Sequence, residues 1–351
     1  MAWWDDAAKA LGDAVASGTE ALAGAAETVC TAAGDFVADV VESAGNGIAD
    51  GATALGDVLA GIPGIGGFLE GTCDWLGGIV AGATNFVGGV VKAVFGIVAG
   101  VLGGLIRIIG GILCLNGSLI LKGLIDIGSC IAGAVLIILG TLASLVQRII
   151  FCQNKERTLT KAEYEMLRNV FHLSISLYNI RIIEGWSGIF GITTSGAFTL
   201  GNTIYANTTD FSASPAILVH ECVHVWQYQV LGPRYTMDAL GAQAIYGRDG
   251  GPTDAYAWEA ELGRGHTQWQ DFNKEAAAKH IDDIWSVGSM NPLDLTLRPG
   301  SGTFFLAGSD VFLLNRGEFI FNGTDYSDLA IASVKTLRNG VNFRMSKFMF
   351  M

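Results

Sequence analysis

Apolar and polar positions follow three regimes along the chain, and each predicts a different kind of structure. In residues 3–60, Val15, Leu22, Val29 and Phe36 recur every seven positions, with Leu11 and Val40 four residues outside the ends. That spacing predicts one apolar stripe on an acidic helix, or on two helices broken near Gly45-Asn46-Gly47. Such a stripe packs on another element, or meets a membrane once its acids are protonated. Residues 75–151 are apolar almost throughout, with uncharged stretches at 75–91, 93–106, 108–121 and 127–147. Only the last reaches the roughly 20 residues that a lone helix needs to cross a bilayer.

Inside this second regime a 15-residue pseudo-repeat runs Phe86-Val-Gly-Gly-Val-Val-Lys92, Val101-Leu-Gly-Gly-Leu-Ile-Arg107 and Asn116-Gly-Ser-Leu-Ile-Leu-Lys122, and a fourth copy, Ile131 to Ile137, lacks the charge. Glycine also falls every seven residues at 82, 89, 96, 103, 110 and 117. On a helix those positions predict one smooth stripe that lets a second helix approach backbone to backbone. In water each such glycine weakens a helix by about 0.5–1 kcal/mol relative to alanine, so close packing must offset it. Three readings fit: a membrane-inserting hairpin or pore segment, a buried bundle of a soluble protein, or a scaffold that packs in an oligomer.

The third regime begins at Cys152. Leu159-Thr160-Lys-Ala-Glu163 is a capping-box start and predicts a helix to about Phe171. Tyr178–Glu184 alternates like a strand, and Phe198–Ala206 reads as a second strand. Ser214-Pro215 then opens a helix, with serine capping and proline at the first helical position, and Gly232-Pro233 closes it. From about Asn291 alternation returns through Thr303–Asn322, punctuated at Gly308-Ser309 and Arg316-Gly317. The predicted fold class is therefore α+β. Residues 1–62 form an acidic amphipathic segment, 63–151 a glycine-rich hydrophobic helical region, 152–290 a mixed domain, and 291–351 a short β-rich tail.

The chemistry lies in the Ser214–Gly232 helix, in His220-Glu221-Cys222-Val223-His224. Histidines four apart lie one above the other on a helix, so both imidazoles reach one zinc ion. Glu221, beside the first, is placed to deprotonate a water at that ion. Ala216, Leu218, Val219, Cys222, Val223 and Trp226 would bury most of this helix, where two histidines and a glutamate need a compensating partner. Metal supplies one.

Four segments in order, Leu159-Thr-x-x-Glu163, Ile180-Arg-Ile-x-Glu-Gly185, Phe198-Thr-Leu-Gly-Asn-Thr-Ile-Tyr205 and His220-Glu-x-x-His-Val-Trp-Gln-Tyr-Gln229, resemble the zincin-type metallopeptidase domains of bacterial toxins and contractile-injection effectors. The resemblance covers residues 155–286 and implies a gluzincin, with His220, His224 and a downstream glutamate on zinc. It points to Glu275, which follows Asn273 as the predicted cap, although Ala276 and Ala277 replace the family's two glutamines. Spacing alone favours Glu259, and Glu261, Asp254 and His280 also stay open. Asp283 is expected to orient a histidine from behind. The function implied is zinc-dependent cleavage of a peptide or protein substrate by a secreted or injected toxin. Residues 63–151 would engage a membrane or an injection apparatus, and homo-oligomers fit the same segment. The rival reading makes the helical half the active, membrane-permeabilising agent, or makes the chain a structural or cargo protein.

Charge sharpens this partition. Residues 1–74 carry twelve acids and one base, residues 75–151 one acid and four bases, and the remainder twenty acids and sixteen bases. Nothing in that distribution offers a basic nucleic-acid surface. The six cysteines form no CxxC pair and read as buried thiols, with Cys222 in helix packing. Met1-Ala-Trp-Trp-Asp-Asp6 lacks the basic start of a signal peptide, so export by the general secretory route is not expected.

Overall fold

The computed structural model describes residues 2–63, 65–150, 156–187, 196–248, 250–290, 302–307 and 317–339. Within them the protein is α+β and mostly helical, with small sheets and an all-α N-terminal region. That region is three antiparallel helices, α1 (Ala2–Ala60), α2 (Gly66–Leu113) and α3 (Gly117–Ile149). The acidic segment is thus one helix, unbroken at Gly45-Asn46-Gly47. α2 lies between the other two.

The Gly-Gly dipeptides of α2 explain that order. Adjacent helical residues point about 100° apart, so a pair of glycines can offer one bare site to each flanking helix. Gly77 faces Ala49 and Ala52 of α1 while Gly78 faces Arg148 of α3. The alternation repeats: Gly88 faces Glu42 and Gly89 faces Ile137, Gly103 faces Glu27 and Gly104 faces Ile127, Gly110 faces Thr19 and Gly111 faces Ile120. The seven-residue series is therefore not one stripe. Gly82 and Gly89 face α3, Gly96 meets Pro233, and Gly103 and Gly110 face α1, because a seven-residue repeat drifts about 20° per step around a straight helix.

Cations of the pseudo-repeat set the register of α1 on α2. Lys92 Nζ lies 3.2 Å from Asp39 and 3.7 Å from Asp35. Arg107 binds Glu20 at 2.9 Å, Asp126 at 2.8 Å and also Glu27, and Lys122 binds Glu20 at 2.8 Å. The acids of α1 accordingly turn inward. Its predicted apolar stripe turns outward: Leu22 and Val29 are each 61% exposed. Ions buried this way contribute more to register than to net stability, since desolvation consumes much of their attraction.

The remaining residues build a four-stranded sheet in the order β1 (Glu156–Arg157), β2 (Arg181–Glu184), β4 (Thr203–Asn207) and β3 (Phe198–Leu200). β2 and β4 are parallel and the other pairs antiparallel. The stretch expected as one strand from Phe198 to Ala206 is a hairpin, turned at Gly201 with φ +65°. The predicted capping box of α4 (Lys161–Phe171) is present between Thr160 and Glu163. Beside the sheet lie α5 (Pro215–Leu231), α6 (Arg234–Tyr246), α7 (Trp258–Gly263) and α8 (Lys274–Val287). Pro215 opens α5 as expected, whereas the Ser214 side chain makes no cap bond. Val219, Cys222, Val223, Ile281 and Ile284 lie in the core shared by α5 and α8.

The tail departs from its expected β-rich character. Beyond short pairs, β5 (Ser289–Met290) with β6 (Gly317–Glu318) and β7 (Ile320–Phe321) with β8 (Thr324–Asp325), it carries α9 (Ser327–Asn339). β6 pairs with β5 and not with the four-stranded sheet. Ala330, Ser333, Val334 and Leu337 give α9 a helical face against the core, a signal the preceding alternation masks. Thr303–Ala307 is a short 3₁₀ turn, and the predicted turns at 308–309 and 316–317 begin outside the described residues.

The two halves share an interior. Pro233 sits against Gly96 of α2 and Gly133 of α3, and Leu200 sits against Gly140. Ile137 joins Ile183, Leu200, Tyr205, Tyr228 and Tyr235 in a second small core. Polar bonds line the same seam: Arg234 to Asp126 at 2.5 Å, Asn179 to Asp39 at 3.1 Å, and Asn202 to Glu42.

If close approach is what the glycines provide, their substitutions separate by position. Gly104→Leu drives a side chain into Ile127 and the Gly123 carbonyl and should cost about 1–3 kcal/mol in urea unfolding. Gly128→Ala, with open space around it, should instead stabilise by about 0.5–1 kcal/mol.

Candidate metal centre

The turn-and-a-bit between His220 and His224 places both rings on the face of α5 that meets α8, 4.9 Å apart between centroids. The first turn of α8 brings Glu275 to them. Its Oε2 lies 3.2 Å from His224 Nε2 and 3.6 Å from His220 Nε2. Among the described residues these three side chains could hold a metal ion, their ligand atoms all within 4.8 Å of one another and all three residues buried. Two imidazole nitrogens and one carboxylate oxygen form a donor set of the kind that zinc accepts.

The nitrogens facing away from this point are also accounted for. His224 Nδ1 lies 2.9 Å from Gln227 Oε1, an acceptor for the Nδ1 proton that orients the ring with Nε2 directed at the cluster. His220 Nδ1 lies 3.9 Å from Asp282 Oδ2. Asp282, not the expected Asp283, therefore stands behind His220. Asp283 instead accepts from Trp258 Nε1 at 2.9 Å and from Lys279 at 2.7 Å.

Opposite charge ties His224 to Glu275. Burial alone would lower the pKa of His224, but the Glu275 carboxylate outweighs it and pushes the imidazole up to about 9. Burial would raise Glu275, and the two histidines hold it well below the usual carboxylate range instead.

The position of Glu275 is fixed from behind. Asn273 caps α8 through Oδ1, which accepts from the amides of Glu275 and Ala276, each at 3.0 Å. Asn273 in turn donates Nδ2 to Glu261 Oε1 at 2.8 Å, and His266 Nδ1 lies 2.6 Å from Glu261 Oε2. Glu261, an open candidate for the third ligand, is instead a buried hub that holds the helix start. Gln243 of α6 donates to Glu275 Oε1 at 2.7 Å, leaving Oε2 for the histidines. Gln227 ties the two helices together by donating to the Lys274 carbonyl at 3.0 Å.

The other candidates lie elsewhere. Glu259 accepts from Asn322 at 3.0 Å and from the Tyr326 hydroxyl at 3.2 Å, away from the histidines. Asp254 accepts backbone amides of its own loop at Gly250 and Tyr256. His280 is packed among the rings of Trp258, Phe272 and Phe319, where burial pushes it down to about 3 and keeps it neutral. Glu221 points to β3, its Oε2 accepting the Thr199 hydroxyl at 2.8 Å. The roles of Gln227 and Asp282 had a sequence signal, three residues from His224 and seven from Glu275 on their helix faces. Those of Gln243, Glu261 and Thr199 had none, because their contacts are made across the fold.

Comparison of the chain with protein-family models, curated proteins and solved structures returns no match. The site is therefore read from its own geometry.

Two measurements test that geometry. Glu275→Ala should lower bound zinc per chain at least tenfold, while Glu259→Ala leaves it unchanged, by elemental analysis after dialysis. In chelator-stripped protein the His224–Glu275 pair should stabilise fully between about pH 4.5 and 6.5, with the His224 contribution lost as pH rises from there through about 9. The urea midpoint should fall over that window, and should not do so in His224→Gln.

Proposed function

We propose that the protein is a zinc metallopeptidase of the toxin or injected-effector kind, acting on a peptide or protein substrate. The observation that carries this reading is the convergence of His220 Nε2, His224 Nε2 and Glu275 Oε2 within a core, with a glutamate between the two histidines in sequence. His220, His224 and Glu275 would hold the metal. Zinc bound there supplies Lewis acidity toward a scissile carbonyl and toward water at neutral pH.

The chain's own groups then divide the remaining work. Glu221 takes a proton from the attacking water and returns it to the leaving amine. Thr199 holds the Glu221 carboxylate and so sets where that proton is collected. Tyr256, its ring 5.9 Å from that of His220, accepts from Gln243 at 3.3 Å and keeps its own proton to donate to a substrate oxygen. Burial first, then Glu275 and Glu221, push its hydroxyl pKa up, so it stays protonated.

β3 is an edge strand directly beside Glu221, and an extended peptide adding to it would lie along the site. The Thr199 carbonyl already accepts the Tyr235 hydroxyl at 3.1 Å, so a bound peptide must register around that bond or displace it. The helical half fits delivery or anchoring: α2 and α3 are long and apolar enough to cross a membrane.

Glu221→Gln decides the mechanism. It should bind zinc as the parent does and cut a peptide library about 10²–10⁴-fold more slowly. Undiminished cleavage by that variant would remove Glu221 from the chemistry.

A further inference from the structure

The hairpin of helices is polar inside and apolar outside, the inverse of a water-soluble bundle. α2 has no exposed charged residue, α1 has none between Asp13 and Asp50, and α3 has only Lys122. Outward on all three helices stand large apolar side chains, among them Val29, Leu102, Ile109, Leu124 and Val135. Soluble proteins rarely expose apolar surface on this scale without a partner.

The catalytic half covers only part of this surface. Its contacts on α1 begin at Thr31, near Gly232, and continue to Asp50, which pairs with Arg181. Residues 14–30 of α1, with 97–113 of α2 and the start of α3, extend beyond it as an arm. Seventeen helical residues span about 25 Å, close to the roughly 30 Å of a bilayer's hydrocarbon core. Two cations of the arm, Arg107 and Lys122, meet three acids, Glu20, Glu27 and Asp126, and Arg234 of the catalytic half reaches Asp126 to supply the third positive charge. The cluster is neutral, as charges taken into a low-dielectric phase must be.

The tip adds an independent observation. In the α2–α3 turn Leu115 has φ +54° and is 92% exposed, and Leu113 is 74% exposed. A left-handed backbone is unfavourable for leucine, and glycine or asparagine serves such a turn in water. Here the strained position presents an apolar side chain outward at the α2–α3 turn, past which α1 continues to Ala2.

We propose that this arm enters the acyl-chain region of a phospholipid bilayer as a packed unit, the leucines of the α2–α3 turn included, and holds the catalytic half at the membrane surface. A second copy of the chain is the weaker occupant. Apolar residues face outward from both flanking helices and from α2 between them, so a single pairwise interface leaves most of them in water, whereas lipid surrounds them all. The inference rests on the membrane part of the functional reading, and is independent of whether the metal site is active.

Flotation of the full chain with phosphatidylcholine vesicles tests it, in about 0.15 M and about 1 M salt, since screening weakens ionic but not apolar contacts. The parent should float at both. Leu113→Lys with Leu115→Lys, at exposed positions that can change without repacking, should reduce the floated fraction at least tenfold. So should Leu102→Lys with Leu105→Lys, provided helicity by circular dichroism is kept. Ile245→Lys, exposed on the catalytic half, should float as the parent does. A parent chain that stays in the dense fractions, as monomer or as a discrete oligomer by sedimentation, overturns the proposal. So does a tip variant that floats undiminished. Peptidase assays on the same samples report separately on the zinc reading.

Discussion

Backbone-to-backbone contact along α2 is the constraint from which the rest of the architecture follows. Bare sites on two sides of one helix draw α1 and α3 in closely. Seated against them are small groups such as those of Ala52 and Thr19, isoleucines of α3 such as Ile127 and Ile137, and long side chains whose charged ends reach a partner across the gap. Lys92 and Arg107 are placed in that last way, each meeting acids of α1. Many other large apolar residues stand on the outside, so inverted polarity accompanies the glycine-lined seams. In water that arrangement forfeits much of the hydrophobic driving force that normally holds helices together.

The candidate metal centre depends on a different kind of order. Its three candidate ligands come from two helices that share an apolar core, and the contacts that aim those ligands are polar. Gln227 touches both His224 and the Lys274 carbonyl, Gln243 holds one oxygen of Glu275, and Asn273 fixes the turn on which Glu275 rides. A carboxylate so restrained has little rotamer freedom left to lose on meeting a cation. Buried amides and acids in such a chain stabilise only when every partner is present, so the network specifies one arrangement of the two helices.

Much of this was legible in the sequence, for identifiable reasons. α4 announced itself by a capping box and α5 by Pro215 and Gly232, because helix ends are local events. The pair His220 and His224 needed only helical periodicity. Glu275 against Glu259 could not be settled by counting residues, since both lie a plausible distance downstream; what separates them is that α8 packs on α5 while Glu259 turns toward Asn322 and Tyr326. The glycine series misled because a period of seven tracks a helix surface only approximately over five turns and more. The outward apolar stripe of α1 was read correctly as a stripe, but its direction depends on where α2 places Lys92 and Arg107, which no local pattern encodes. The tail's strand-like alternation concealed α9, whose apolar positions make sense only against the core they cover.

Pro233 ties these two regions in a way that matters for how the molecule can be divided. It follows the histidine-bearing helix by two residues and sits in the recess made by Gly96 and Gly133. Arg234 beside it neutralises Asp126 in the middle of the hairpin. A chain cut between the halves would leave Pro233 without its seat, Asp126 short of a counter-charge, and Tyr205 and Tyr228 uncovered on one side. The boundary that composition draws near residue 151 is therefore a change of chemistry along the chain, not a hinge between separable modules. Any force that shears α2 against α3 would be felt at the end of the helix that carries the histidines.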